Sequence, residues 1–299
     1  MAVTVQRIRN ELRDLVEVVV VPGLAAVLPW RWCFAVFKFL SHRRFFYREA
    51  CERALAQASQ RGWVTDADTW LANRRLVTLV DHADHYLART RSDAWMKRHL
   101  VVEGSWPESA EASLQLTFHW GAGMWALRHA CSEGLKAHML VAAVNGKHFE
   151  GRTVLHQYIK ARTQSIALAL KRPTVDVSIS LRPVLRALRA NEQVIAVIDV
   201  PADQVTASQS IALLGMKARI PTALLRVAVE QSTPVNVFLT GIRLTDGQRF
   251  LRIKPLGIYS DLNTLVQDVF QVLEKAIMED PAAWHFWSES ERFFERTSA

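Results

Sequence analysis

The sequence predicts an α/β fold, a largely parallel central sheet flanked by helices, with an N-terminal helical, membrane-interfacial extension. Three observations carry this expectation. From Gly104 onward, short apolar runs alternate with longer helical stretches, the pattern of buried strands joined by helical crossovers. Between Ala50 and Leu100 the apolar residues recur at three- and four-residue spacing, as along one side of a helix. Ahead of that, Leu15 to Leu40 is mostly apolar and aromatic, broken by charge, proline and glycine. The change of pattern places the helical extension at residues 1–103 and the α/β domain at residues 104–299.

In the N-terminal run, Glu17, Pro22, Gly23, Pro29, Arg31 and Lys38 leave no stretch of about 20 apolar residues for a spanning helix. No small-residue cleavage site of a signal peptide closes it. The segment Pro29 to Leu40, rich in Trp and Phe and followed by Arg43, Arg44 and Arg48, has the composition of a helix lying among lipid headgroups. The alternative packs these aromatics on the protein and leaves the arginines as a solvated rim. In the next helical stretch the apolar phase runs through Trp70, Leu71, Arg74, Leu76, Val77, Val80 and Leu87. There, Asp81-His82-Ala83-Asp84-His85 puts two histidines on one helix face, but a zinc site needs more converging ligands, and the preferred reading is a wet helix face.

Past Gly104, strands are expected at Leu114 to Phe118, Leu140 to Val144, Val194 to Ile198 and Val235 to Leu239. Helices are expected at Trp125 to Ser132, Thr153 to Leu170, Leu181 to Ala190 and Lys217 to Gln231. Asp246-Gly247 reads as the turn of a hairpin joining Phe238 to Arg243 with Arg249 to Ile253. A last helix is expected from Leu262 to Met278.

With 299 residues, half of them hydrophobic, the chain can bury a sizeable core. The formal net charge of +8 points to an acidic partner: nucleic acid, an anionic membrane surface or an acidic carrier protein. No zinc-finger spacing, RNA-recognition signature or phosphate-binding glycine loop supports nucleic acid. Cys33, Cys51 and Cys131 are odd in number and outside any Cys-x-x-Cys spacing, which fits a reducing compartment and indicates neither a disulfide framework nor a zinc site.

Ligands of parallel sheets gather at the carboxyl ends of the strands. His119 follows the first strand expected after Gly104, in Phe118-His119-Trp120-Gly121-Ala122-Gly123-Met124, and Asp199 follows Val194 to Ile198, so the two are expected to face one crevice. A histidine delivered to a small-residue turn before a helix suits a general base. With the helix holding Tyr158, Ile159, Arg162 and Ser165, the stretch Leu185 to Asp199, the loop Leu213 to Ala223 and the tail Pro281-Ala282-Ala283-Trp284 to Phe294, the chain resembles the late lipid A acyltransferases. These are the lauroyl and myristoyl transferases of the lysophospholipid acyltransferase superfamily. The resemblance spans roughly Leu114 to Phe294.

The resemblance implies transfer of a fatty acyl group from an acyl carrier protein thioester to a hydroxyl of a membrane glycolipid or lipid A-like acceptor. The implied place is the cytoplasmic face of the inner membrane, held peripherally or monotopically. It implies no metal and no organic cofactor. His119 is then the general base, with Arg162 and Asp199 as further catalytic candidates. The backbone around Gly121 and Gly123 would supply oxyanion donors, and Asn145, in a polar loop with His148 and Glu150, is a substrate-binding candidate. The chain departs from the family where the acidic residue five positions after the histidine is expected, because that position is Met124. Asp199 or Glu133 is the expected replacement. The alternatives are catalysis by His119 without an acid, and a non-catalytic relative that binds acyl chains or the acyl carrier.

Overall fold

A computed structural model describes residues 2–108, 111–141, 149–178, 180–201, 203 and 207–295. The chain opens with α1 (Ala2–Asp14), which continues through a π-helical turn, Leu15–Val20, into α2 (Val21–Val27). Then come α3 (Trp30–Ser41), α4 (Arg48–Gln60), α5 (Ala67–Thr90) and α6 (Asp93–His99). The Asp66 carboxylate accepts from the Thr69 N–H and the Ser92 hydroxyl from the Trp95 N–H, so α5 and α6 both start on a side-chain cap. Among the described residues no helix is long and apolar enough to cross a membrane. The aromatic segment divides between the two readings: Trp30, Phe34 and Phe37 are buried, whereas Trp32, Phe39 and Phe45 are exposed.

The sheet begins ahead of Gly104, at β1 (Leu100–Glu103), and continues with β2 (Ser113–Thr117). After α7 (Met124–Ser132) come β3 (Ala137–Val141), α8 (Thr153–Leu170) and β4 (Val175–Asp176). Next are α9 (Arg182–Arg189), β5 (Gln193–Val197), and an antiparallel pair of β6 (Ser208–Leu213) and β7 (Met216–Pro221). Last are α10 (Ala223–Glu230), the hairpin of β8 (Val235–Ile242) and β9 (Arg249–Gly257), and α11 (Leu262–Glu279). One expected helix is corrected. Lys217 to Pro221 is strand, since Lys217 and Arg219 are exposed while Ala218 and Ile220 are buried, and the helix starts only after Pro221. The strand expected at Leu140 to Val144 begins three residues earlier, at Ala137, and the last three expected positions lie outside the described residues.

The seven-stranded sheet has the order β1-β9-β8-β2-β5-β3-β4, and its pairings are parallel except for the β8–β9 hairpin. The connections through α7 and α8 move from β2 outward to β3 and β4. Those through α9 and α10 return inward to β5 and then β8. Right-handed crossovers in opposite directions must lie on opposite faces of a sheet. Accordingly Met124, Leu127 and Leu170 pack with Ile195 and Phe238, whereas Val184, Ala187 and Leu188 belong to the cluster of Leu114, Leu116, Val194 and Ala196. β2 and β5 are therefore neighbours whose exits leave for opposite faces, and the crevice beyond their carboxyl ends is the place such sheets bind ligands.

A buried ion pair fastens the extension to the sheet. Arg249 of β9 bonds Asp84 of α5 through Nη2 at 2.6 Å and Nε at 3.0 Å, and its guanidinium lies 3.9 Å from the Trp30 ring.

Candidate active site

His119 lies just past β2 and Asp199 just past β5, on either side of the crevice. The Nδ1 of His119 is 2.9 Å from Oδ1 of Asp199. The His119 backbone N–H is shared between the two carboxylate oxygens at 2.8 and 3.0 Å, and Trp284 Nε1 donates to Oδ2 at 2.9 Å. Asp199 is fully buried, so its charge is satisfied by these donors alone among the described residues. An ionised carboxylate only accepts, so the proton of the neutral imidazole sits on Nδ1 and the lone pair on Nε2. The His119 side chain is 39% accessible, and its Nε2 has no hydrogen-bond partner among the described residues.

The carboxyl-terminal tail forms the other wall. The His285 N–H donates to His119 O at 2.7 Å, and the Phe286 ring meets the His119 ring edge-on at 4.4 Å. Arg74, buried on α5, holds this tail by donating to the carbonyls of Ala282, Trp284 and His285 at 2.8–3.2 Å. An arginine in the apolar phase of a helix was the sequence signal for this clamp. Trp284 stood in the tail motif, with nothing in its neighbours to link it to Asp199.

The glycine turn is fixed by close backbone approach. At Gly121 φ is +70°, and a Cβ would lie 2.1 Å from Thr240 O. Its N–H donates to Ala283 O at 3.1 Å and that of Ala122 to Thr240 O at 3.2 Å, so both donors are engaged within the turn. The Gly123 N–H, at the N-cap of α7, has no acceptor among the described residues.

Met124 is buried among Leu127, Phe238 and Leu251, in the core beneath α7. Glu133 lies at the far end of that helix, half exposed beside Lys97 and His129. Of the two candidate acids, Asp199 alone meets the histidine.

The structure does not join Arg162 to the dyad. Its Nη2 bonds Asp81 Oδ1 at 2.7 Å, and its Nη1 bonds Asp81 O at 3.0 Å and the Tyr158 hydroxyl at 3.2 Å. Burial works against the charge on Arg162, but Asp81 and Tyr158 raise its pKa above the ordinary value. Burial likewise opposes the charge on Asp81, and Arg162 with two nearby histidines overcomes this to hold it at about 2. Burial, reinforced by Arg162, lowers His82 to about 3, and burial with Arg74 lowers His285 to about 4. His82 Nδ1 meets the Tyr158 hydroxyl at 2.8 Å, and Asp84 is taken by Arg249. The expected wet face is thus corrected: Asp84 and His85 are buried and Asp81 and His82 partly so, because Arg249, Ser165, Arg162 and Tyr158 supply them with partners inside the fold. Among the described residues no group of three or more His, Cys, Asp or Glu is placed to hold a metal.

A cavity of about 380 Å³ lies between the π-helical turn, α5 and α8, walled by Val19, Tyr86, Val154, Tyr158 and Ala161. A second, of about 360 Å³, is lined by Arg89, Arg128, Ser165 and Leu168. Neither is lined by His119, but Tyr158 connects the first to the Arg162 network. Asn145 and His148 lie outside the described residues, and Glu150 is exposed in a turn. No family model and no curated protein matches this chain.

Proposed function

We propose that the protein transfers a fatty acyl group from an acyl carrier protein thioester to a hydroxyl of a membrane glycolipid or lipid A-like acceptor. The observation that carries this reading is the His119–Asp199 pair at the sheet's switch point, with Nε2 unpartnered among the described residues and Nδ1 held by a buried carboxylate. An alcohol is a poor nucleophile until its proton is removed as it attacks. Nε2 takes that proton while the hydroxyl oxygen bonds the thioester carbonyl carbon. The tetrahedral intermediate collapses by breaking the C–S bond, and the departing thiolate recovers the proton from Nε2. Asp199 holds the tautomer and offsets the transient imidazolium. The Gly123 N–H is the backbone donor proposed for the oxyanion.

The exposed apolar residues support a lipid acceptor. Val5, Ile8 and Leu12 fall on one side of α1, Leu15, Val16 and Val20 of the following π-helical turn are exposed as well, and so are Trp32, Phe39 and Phe45. Arg43 sits over the Phe39 ring at 4.5 Å. Exposed apolar residues edged by arginines suit the inner-membrane surface at its cytoplasmic face. The cavity at Ala161 is the proposed berth for part of an acyl chain, being largely apolar and within the size range of small-molecule pockets, roughly 300–1,000 Å³.

The test is acyl transfer by the purified protein, from acyl carrier protein thioesters of several chain lengths to lipid vesicles, beside the variant His119→Ala. Loss of the base is expected to lower turnover about 100-fold or more. Equal turnover removes His119 from the mechanism. Carrier binding with no turnover by the unmutated protein, across donors and acceptors, replaces this reading with a non-catalytic one.

A further inference from the structure

We infer that the exposed face of α9 is the docking surface for the acidic carrier protein, an inference that rests on the carrier-dependent reading above and assigns it a place. Arg182, Arg186 and Arg189 are spaced four and three residues apart and so share one stripe of the helix. All three are exposed, and none has an ion pair or a side-chain hydrogen bond among the described residues. The opposite side of α9, through Val184, Ala187 and Leu188, is buried against the sheet, which fixes the stripe outward. The neighbouring carboxylate, Glu192, is already held by Arg172 at 2.6 Å and His138 at 3.0 Å, so it does not neutralise the stripe.

Position favours a soluble partner over a membrane. The exposed apolar residues of α1 and the π-helical turn belong to elements packed on α8, on the face of the sheet opposite to α9. α9 itself exposes no large apolar residue. A membrane-facing helix would combine apolar and basic residues, whereas α9 offers charge alone. Position also ties the stripe to the site. α9 runs back between parallel strands, so Arg182 lies towards their carboxyl ends, and β5 then leads to Asp199. A carrier with acidic residues on a helix would pair with the stripe and present its thioester arm from the crevice end.

The experiment measures binding of a fluorescently labelled acyl carrier protein and of anionic phospholipid vesicles, at rising salt. Three forms are compared: the unmutated protein, the combined variant Arg182→Ser, Arg186→Ser, Arg189→Ser, and the control Arg7→Ser, Arg9→Ser in α1. The α9 variant is expected to bind the carrier about tenfold more weakly or worse, with a flatter salt dependence, and to bind vesicles as before. The α1 control is expected to keep its carrier affinity. Equal carrier affinity for the unmutated and α9-variant proteins overturns the docking surface while leaving the acyl-transfer reading in place. Loss of vesicle binding with carrier binding intact also overturns it, making α9 a membrane contact. Failure of the unmutated protein to bind any carrier removes the donor reading itself, and the docking surface with it.

Discussion

Replacing Asp199 by Asn tests the site at its most constrained point. The carboxylate accepts from the His119 N–H with both oxygens, from Nδ1–H with Oδ1 and from Trp284 Nε1–H with Oδ2. An amide keeps one accepting oxygen and brings two donors into a buried space. If the NH2 group takes the Oδ1 place, it faces Nδ1, and the imidazole relieves the conflict by moving its proton to Nε2, where the lone pair is needed. If it takes the Oδ2 place, the donors of Trp284 and the His119 backbone are opposed, and the buried mismatch costs about 1–3 kcal/mol of stability. In the serine-protease triad the corresponding change lowers turnover about 10⁴-fold through the wrong tautomer. A loss of about 10³- to 10⁴-fold is expected here, equivalent to about 4–5.5 kcal/mol of barrier. The assay is steady-state acyl transfer, paired with nitrogen NMR of His119 to identify the protonated ring nitrogen and a thermal melt to confirm folding. A folded variant that retains more than a tenth of the turnover would refute the assigned role whichever way the amide is seated, and the His119 tautomer distinguishes the two seatings.

Trp284→Phe keeps the ring but removes the donor to Asp199, and turnover is expected to fall about 5- to 30-fold, corresponding to about 1–2 kcal/mol; unchanged kinetics would leave the indole with packing alone. Arg74→Met leaves three buried carbonyls without their donor, and urea unfolding should show a loss of about 3 kcal/mol or more. Gly121→Ala places a methyl group against Thr240 O at a positive φ, for an expected loss of about 2–4 kcal/mol in the same assay. For acid stability, His82 and His285 bind protons later in the folded state, at about 3 and about 4, than in the unfolded chain at about 6.5. Below about pH 6.5 the unfolded state is protonated first, so stability should fall as pH drops towards 4, by up to about 1.4 kcal/mol per pH unit for each histidine. The measurement is urea unfolding at pH 7, 6 and 5, and a slope that replacing both histidines by Gln does not flatten would contradict this origin.

Elements with an unbroken pattern were legible in the sequence. The helix Thr153–Leu170 has the expected limits and the Asp246-Gly247 turn lies where expected, because one period or one turn signal runs through each without competition, although the hairpin strands extend beyond the expected ones to Val235 and Gly257. Lys217 to Gln231 was misread because a strand and a helix meet at Pro221 without a gap in the apolar residues. Leu100–Glu103 gave no strand signal: it is a short edge strand with three exposed residues, and only β9 beside it defines it. Within the site, His119 and Asp199 were legible through strand ends. The commitments of Gly121 to Ala283 and of Arg162 to Asp81 arise from partners distant in sequence, which periodicity does not report.

The place of Met124 follows from the same topology. It is the first residue of α7, and its side chain goes down with Leu127 onto the sheet face that holds Phe238 and Leu251. A carboxylate there would lose its water without gaining the donors that Asp199 has, and an unpaired buried charge is strongly unfavourable. At the switch point, by contrast, β2 and β5 are paired in register from Ser113↔Gln193 to Thr117↔Val197, so the residues two beyond each strand end are set opposite each other. His119 and Asp199 occupy those two positions. The sheet therefore brings an acid to the histidine from the next strand, and an apolar residue at 124 is compatible with an oriented base.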